Sequence, residues 1–197
     1  MSKVEKRPDR LVVASANPDK IAEVEKIWEE LGVGSRIVRG LRWKEVEETG
    51  ETLEENALLK ARAVTAATGL PSLADDTGLE VDALGGRPGV RSARYAGEDV
   101  TYQDNVNRLL TDMEGHSDRS ARFRTVAALV WPSGNFLVAE GVLGGRITAD
   151  PRGEGGFGYD SVFEVCDRTL AEITAAEKNR ISHRSRALRA LASLLRT

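Results

Sequence analysis

The short run Leu11-Val12-Val13-Ala14-Ser15 gives way, after Asn17-Pro18, to apolar residues at helical spacing: Ile21, Val24, Ile27, Trp28 and Leu31. This change of period constrains the fold most. Bounded by Arg10 and by Asn17-Pro18, the first run reads as a buried strand ending in a turn, and the second as a helix stopped by Gly32. Lys20 then falls in the first helical turn after a strand, so a cation stands at a strand–loop–helix junction.

The same reading carries along the chain. Thr52 with Glu55 forms a capping box that opens a helix through Ala67, ended by Gly69 and Pro71. Ser72 to Asp75 and Leu79 to Val81 read as two short strands around an Asp76-Thr77-Gly78 turn, with Asp75 and Asp76 at strand ends. Thr101 with Asp104 opens a helix carrying Val106, Leu109, Leu110 and Met113 and closing at Gly115. Arg122 to Trp131 and Asn135 to Leu143 read as a hairpin through Pro132-Ser133-Gly134. A capped turn over Thr174 to Glu177 precedes a last helix from about Ser182, with Leu188, Leu191, Leu194 and Leu195 on one face. Strands alternate with helices early and turn antiparallel later, which predicts an α/β fold, a mixed sheet covered by helices. Nothing repeats and no linker intervenes, so residues 1–197 are expected to form one domain, unstructured at most over residues 1–10.

With 41% hydrophobic and 30% charged residues the composition is that of an ordinary soluble globular protein. A net charge of -3 offers no basic footprint for a polynucleotide, so none is expected as partner. The lone Cys166 excludes an internal disulfide framework and a thiolate metal cluster. MSKVEKRPDR lacks an apolar leader core and no apolar run approaches membrane-spanning length, so the expectation is a cytoplasmic protein with no membrane partner.

Four places carry chemistry. Ser15-Ala16-Asn17 with Lys20 presents backbone N–H groups, a hydroxyl and an ammonium to an anion at a helix start, though Asn17-Pro18-Asp19 could simply begin the helix. No GxxxxGK[ST] loop is present, which excludes a P-loop NTPase. The adjacent carboxylates of Asp75-Asp76 suit a hard cation or a capped turn, and taken alone favour the turn. Lys60 lies one helical turn beyond Asn56, so both share a face. Gly155-Gly156-Phe157-Gly158-Tyr159-Asp160 offers close backbone approach, an aromatic face and a carboxylate, or else a bulged strand with Phe157 in the core. Lys178 and Ser182-His183-Arg184 add donors.

The run from Glu47 to Gly97, together with Ser15 to Lys20, Gly155 to Asp160 and Ser182-His183-Arg184 in that order, closely resembles the Ham1 family of nucleoside triphosphate pyrophosphatases. The resemblance spans nearly the whole chain. It implies a long curved mixed sheet flanked by helices, two lobes with the active-site cleft between them, and a homodimer. The implied activity is magnesium-dependent hydrolysis of ITP, dITP or XTP to the monophosphate and pyrophosphate, clearing deaminated purines. By the same resemblance Ser15, Asn17 and Lys20 contact the triphosphate; Glu48, Asp75 and Asp76 stand beside it and the Mg2+; and Asp76 is the proton acceptor. Lys60 neutralises charge on the phosphates, and Asn56 and Thr77 belong to the substrate site. Phe157, Gly158, Tyr159, Asp160, Lys178, His183 and Arg184 are expected around the purine, where donors satisfy the carbonyl of hypoxanthine or xanthine and oppose the amino group of adenine. The chain departs from the family pattern at Ala16, where many members have glycine, at Ser15 for threonine and at Ser161 for proline. Two other readings compete: a nucleotide-binding module without turnover, and a house-cleaning pyrophosphatase for modified pyrimidine nucleotides.

Overall fold

Asn17 ends one element and starts the next. In the computed structural model, which describes residues 7–196, its side chain accepts from the N–H groups of Asp19 and Lys20 at 2.9 and 3.3 Å. This caps α1 (Pro18–Glu30) directly after β1 (Arg10–Val13). Of the start expected to be unstructured at most over residues 1–10, Pro8 is buried and Arg10 lies in β1, while residues 1–6 lie outside the described residues.

The chain continues through β2 (Arg36–Ile37), α2 (Leu53–Thr68), β3 (Ser72–Val81), β4 (Pro88–Gly89) and α3 (Tyr102–Asp112). It then forms β5 (Ser120–Val130), β6 (Phe136–Ile147), β7 (Phe163–Val165), β8 (Arg168–Thr169), α4 (Ala175–Ile181) and α5 (His183–Leu194). Among the described residues the strands join in the order β2-β1-β3-β5-β6-β7-β8, with β4 pairing β3. The β1 pairings with β2 and β3 are parallel, whereas β3–β4, β6–β7 and β7–β8 are antiparallel, so the sheet is mixed as expected.

Two sequence readings need correction. The segment 72–81 is one ten-residue strand, not two strands about a turn, and Asp75 and Asp76 stand inside it. Gly78 is there for close approach. A Cβ on it would lie 2.7 Å from the Gly89 carbonyl oxygen, so only glycine lets β3 run tight against β4, in the register Leu79↔Gly89. The second correction is that Thr174 caps a full helix, α4, ahead of α5, where only a turn was expected. The capping boxes at Thr52–Glu55 and Thr101–Asp104 form as read.

The chain divides into two compact units. One comprises the residues up to Asp76, Thr125–Gly141 and the residues from Arg184 on. Its core packs Leu11, Val24, Ile27, Trp28, Leu73, Leu129, Trp131, Leu188 and Leu191. The other comprises Thr77–Arg124 and Val142–His183, with Val81, Val106, Leu109, Met113, Phe123, Ile147 and Phe163 at its centre. No helix among the described residues is long and apolar enough to cross a membrane.

Candidate active site

In the first unit, charged side chains from five separate segments meet. Lys60, on α2, donates to Glu48 Oε1 at 2.6 Å and to Asp76 Oδ1 at 2.9 Å, so two carboxylates distant in sequence converge on one ammonium. Asn56, one turn earlier, is fully buried and spends its amide on position. Its Oδ1 accepts from Gly50 N–H at 2.8 Å, and its Nδ2 donates to the Gly50 carbonyl and to Asp76 Oδ2, both at 3.4 Å. It thereby fastens the loop that carries Glu48 to the strand that carries Asp76. Asn56, expected at the substrate site, is thus placed beside Asp76 and clamps that loop.

Asp75 takes a different partner. Successive strand residues project to opposite faces, and Asp75 Oδ2 accepts from Arg184 Nε at 3.1 Å. Arg184 Nη1 also pairs with Glu23 of α1, and all three side chains are buried. Lys20 completes the cluster from the first turn of α1. It is half-buried and, among the described residues, makes no ion pair. Ser15 and Asn17 are half-buried beside it; Ser15 Oγ accepts from Asn17 N–H at 3.1 Å, and Asn17 serves as the helix cap.

The two neighbouring aspartates respond differently to this setting. Burial alone would raise Asp75, but Arg184, then Lys20 and Lys60, hold it well below the usual carboxylate range. For Asp76 burial prevails over Lys60, with Glu48 adding to it, and its proton affinity rises above the ordinary value. Burial would lower Lys60, yet Asp76 and Glu48 reverse this and keep it firmly charged. In Lys20 burial wins over Asp75, and its value falls.

Metal-binding geometry can be tested on the donors themselves. Among the described residues no three His, Cys, Asp or Glu side chains are grouped to hold an ion by themselves. What exists is the pair Glu48 and Asp76, meeting where positive charge already sits. Two carboxylates suit an ion whose other ligands are phosphate oxygens and water. Asp75, engaged by Arg184, is not part of that pair.

The second unit holds the remaining residues. Asp160 Oδ2 accepts from Phe157 N–H at 2.9 Å and from Lys178 Nζ at 2.6 Å, closing the loop on itself. Gly156 is required there: at φ 70° a Cβ would strike the Asp160 carboxylate. Phe157 is half-exposed rather than in the core, its ring centroid 4.6 Å from Lys178 Nζ and 6.0 Å from the ring of Tyr102. Gly158 is half-exposed. Tyr159 is buried, donating its hydroxyl to the Ser92 carbonyl at 2.8 Å, so its side chain anchors the loop. Thr77 is half-exposed on β3. His183 is buried and stacks on Phe123 at 4.5 Å, with Phe163 behind at 4.6 Å. Glu23, Phe123 and Tyr102 were not anticipated. Only Glu23 left a trace in sequence, three residues after Lys20 on one helix face.

Fold and site together define a mixed-sheet α/β protein in which buried acids and bases surround a helix start, with a glycine-rich aromatic loop in the second unit. The sequence places it further: the model of the Ham1 family matches residues 11–194, and the chain belongs to that family. It is 46% identical over 189 residues to a dITP/XTP pyrophosphatase of Bacillus subtilis, covering 93% of this chain and 96% of that one. A dITP/XTP pyrophosphatase of Symbiobacterium thermophilum is 52% identical over 185 residues, covering 91% of each. The Ham1 protein of Staphylococcus aureus superposes with a TM-score of 0.83 at 38% identity, covering 95% of this chain and 98% of that one.

Proposed function

We propose that the chain hydrolyses deaminated purine nucleoside triphosphates (ITP, dITP and XTP) to the monophosphate and pyrophosphate, with magnesium. The observation that carries this is the Glu48–Lys60–Asp76 junction with Lys20 beside it, which among the described residues makes no ion pair: acids for a cation and a water, and cations for a polyanion. The extent of likeness to dITP/XTP pyrophosphatases supports the substrate class.

Water attacks the α-phosphorus and its proton passes to Asp76, whose burial and neighbouring Glu48 favour taking it. The bond from that phosphorus to the oxygen bridging to the β-phosphorus breaks, and pyrophosphate leaves against the ammonium groups of Lys20 and Lys60. Glu48 and Asp76 would hold magnesium, which when bound polarises phosphoryl oxygens and offsets their charge. Asp75 serves instead to fix Arg184. The Phe157 ring offers the base a stacking face, and Lys178 and His183 offer donors to its carbonyl. A pocket of donors rejects adenine, whose amino group leaves them unpaired; such rejection can reach about 10⁴-fold. The same reading makes the enzyme a cytoplasmic homodimer.

One panel tests it: pyrophosphate release from ITP, XTP, GTP and ATP with magnesium. We expect release from ITP and XTP, little from ATP, and none in EDTA. Orthophosphate in place of pyrophosphate, preference for pyrimidine substrates, or tight ITP binding without magnesium-stimulated turnover would each sink the proposal.

A further inference from the structure

Tyr102 is 43% exposed at the first position of α3, and its ring lies 6.0 Å from Phe157 with the planes inclined at 38°. Such a spacing is within the range of interacting aromatic pairs, and both rings keep exposed surface, Phe157 on the side away from Lys178. The backbone beneath Tyr102 is fixed. Asp104 N–H donates to Thr101 Oγ1 at 3.2 Å and Thr101 N–H donates to Asp104 Oδ2 at 2.8 Å, boxing the helix start. Buried Asn105 pins the same turn, donating to the Ala93 carbonyl at 3.0 Å and accepting from Ala96 N–H at 2.8 Å. Phe157 is held just as firmly, by Asp160 below and Lys178 at its ring. The core of this unit draws on Val106, Leu109 and Met113 from and after α3, not on Tyr102. Two neighbouring rings with exposed surface, inclined to one another on rigid supports, make a preorganised platform for a flat ligand.

We infer that Tyr102 is a substrate-binding residue that extends the stacking face of Phe157, so that a two-ring base rests on both rings while a one-ring base reaches Phe157 alone. Tyr102 is then a determinant of purine over pyrimidine preference. This rests on the nucleotide reading above.

The test compares wild type, Tyr102→Ala and Tyr102→Phe, with XTP and UTP as probes. Tyr102→Ala should raise the KM for XTP about 5- to 150-fold with kcat within about twofold, the range expected on losing one base–aromatic contact. The KM for UTP should hardly move, and Tyr102→Phe should restore the wild-type value for XTP. An XTP KM unchanged in Tyr102→Ala, or an equal rise for both nucleotides, overturns the inference. So does a fall in Tm with KM unchanged, which would assign Tyr102 to bracing the Phe157 loop. Should wild type not turn over XTP, calorimetric XTP binding to wild type and Tyr102→Ala still decides: equal affinities overturn the role of Tyr102 alone, and no binding by either overturns both readings.

Discussion

Asp75 and Asp76 are the same side chain on consecutive residues, and the strand gives them opposite work. The pleat sends Asp75 to Arg184 and Asp76 to Lys60, so Asp75 has a depressed proton affinity and Asp76 a raised one. Substituting each with asparagine should separate the roles. Asp76→Asn is expected to keep XTP binding but lose about 100- to 10,000-fold in kcat, the usual worth of a positioned base. Asp75→Asn should mainly destabilise, since it removes one partner of a buried ion pair; at about 3 kcal/mol this lowers Tm by about 6–12 °C in a chain of this size. A matched loss of kcat in both variants would refute the division. A second test lies elsewhere in the molecule. Tyr95 donates to Asp112 Oδ2 at 2.5 Å, and burial first, then that bond, push its pKa up to about 12. A pKa raised by folding stabilises the fold fully below the ordinary value near 10 and loses that contribution as pH climbs toward 12. Tyrosinate absorbance should therefore show a step toward pH 12 that Tyr95→Phe removes, leaving only the still later titration of Tyr159, which burial pushes up further. The sequence offers the charged residues that the structure brings together, because side-chain chemistry is written in it, but who pairs with whom depends on which strand face each residue occupies.

Adjacent glycines on β6 make the corresponding point about elements. Gly144 has open space where a Cβ would go, whereas a Cβ on Gly145 would lie 2.5 Å from the Glu164 carbonyl oxygen and 2.7 Å from the Phe163 ring. Gly144→Ala should be near neutral. Gly145→Ala must push β7 from β6, where Arg146 pairs Glu164, and should cost at least about 1–3 kcal/mol in thermal or urea unfolding. Equal stability of the two variants would show that β7 yields freely. Nothing in the sequence distinguishes these glycines, because the crowding comes from a strand eighteen positions away. Local signals fare better: the capping boxes at Thr52, Thr101 and Thr174 are legible because all their atoms lie within four residues. The Asp76-Thr77-Gly78 stretch misleads for the converse reason. Its residues favour a turn locally, and the tight passage of β3 along β4 overrides them.

The whole chain shows which global properties periodicity can convey. Alternating strand and helix patterns suffice for a mixed α/β sheet, while the division into two cores does not show, because the first unit gathers three segments separated by long stretches of sequence. That gathering matters for stability as well as for chemistry. In the first unit Arg184 of α5, Glu23 of α1 and Asp75 of β3 form one buried network, and Lys20 stands by it, making no ion pair among the described residues. Four acids and three bases make up this cluster and the Glu48–Lys60–Asp76 junction. A bound polyanion would add counter-charge at Lys20, where burial outweighs the neighbouring Asp75, and a divalent cation would satisfy Glu48 and Asp76. Ligand that binds only the folded chain stabilises it by mass action, about 2.7 kcal/mol at a hundred times Kd. For a chain of 197 residues that is a rise in Tm of about 5–10 °C. We expect pyrophosphate with magnesium to produce such a rise, pyrophosphate in EDTA to produce much less, and Lys20→Met to diminish both. An equal rise with and without magnesium would remove the cation from the site while leaving the polyanion. No rise under either condition would mean that the ionic cluster only holds the fold together.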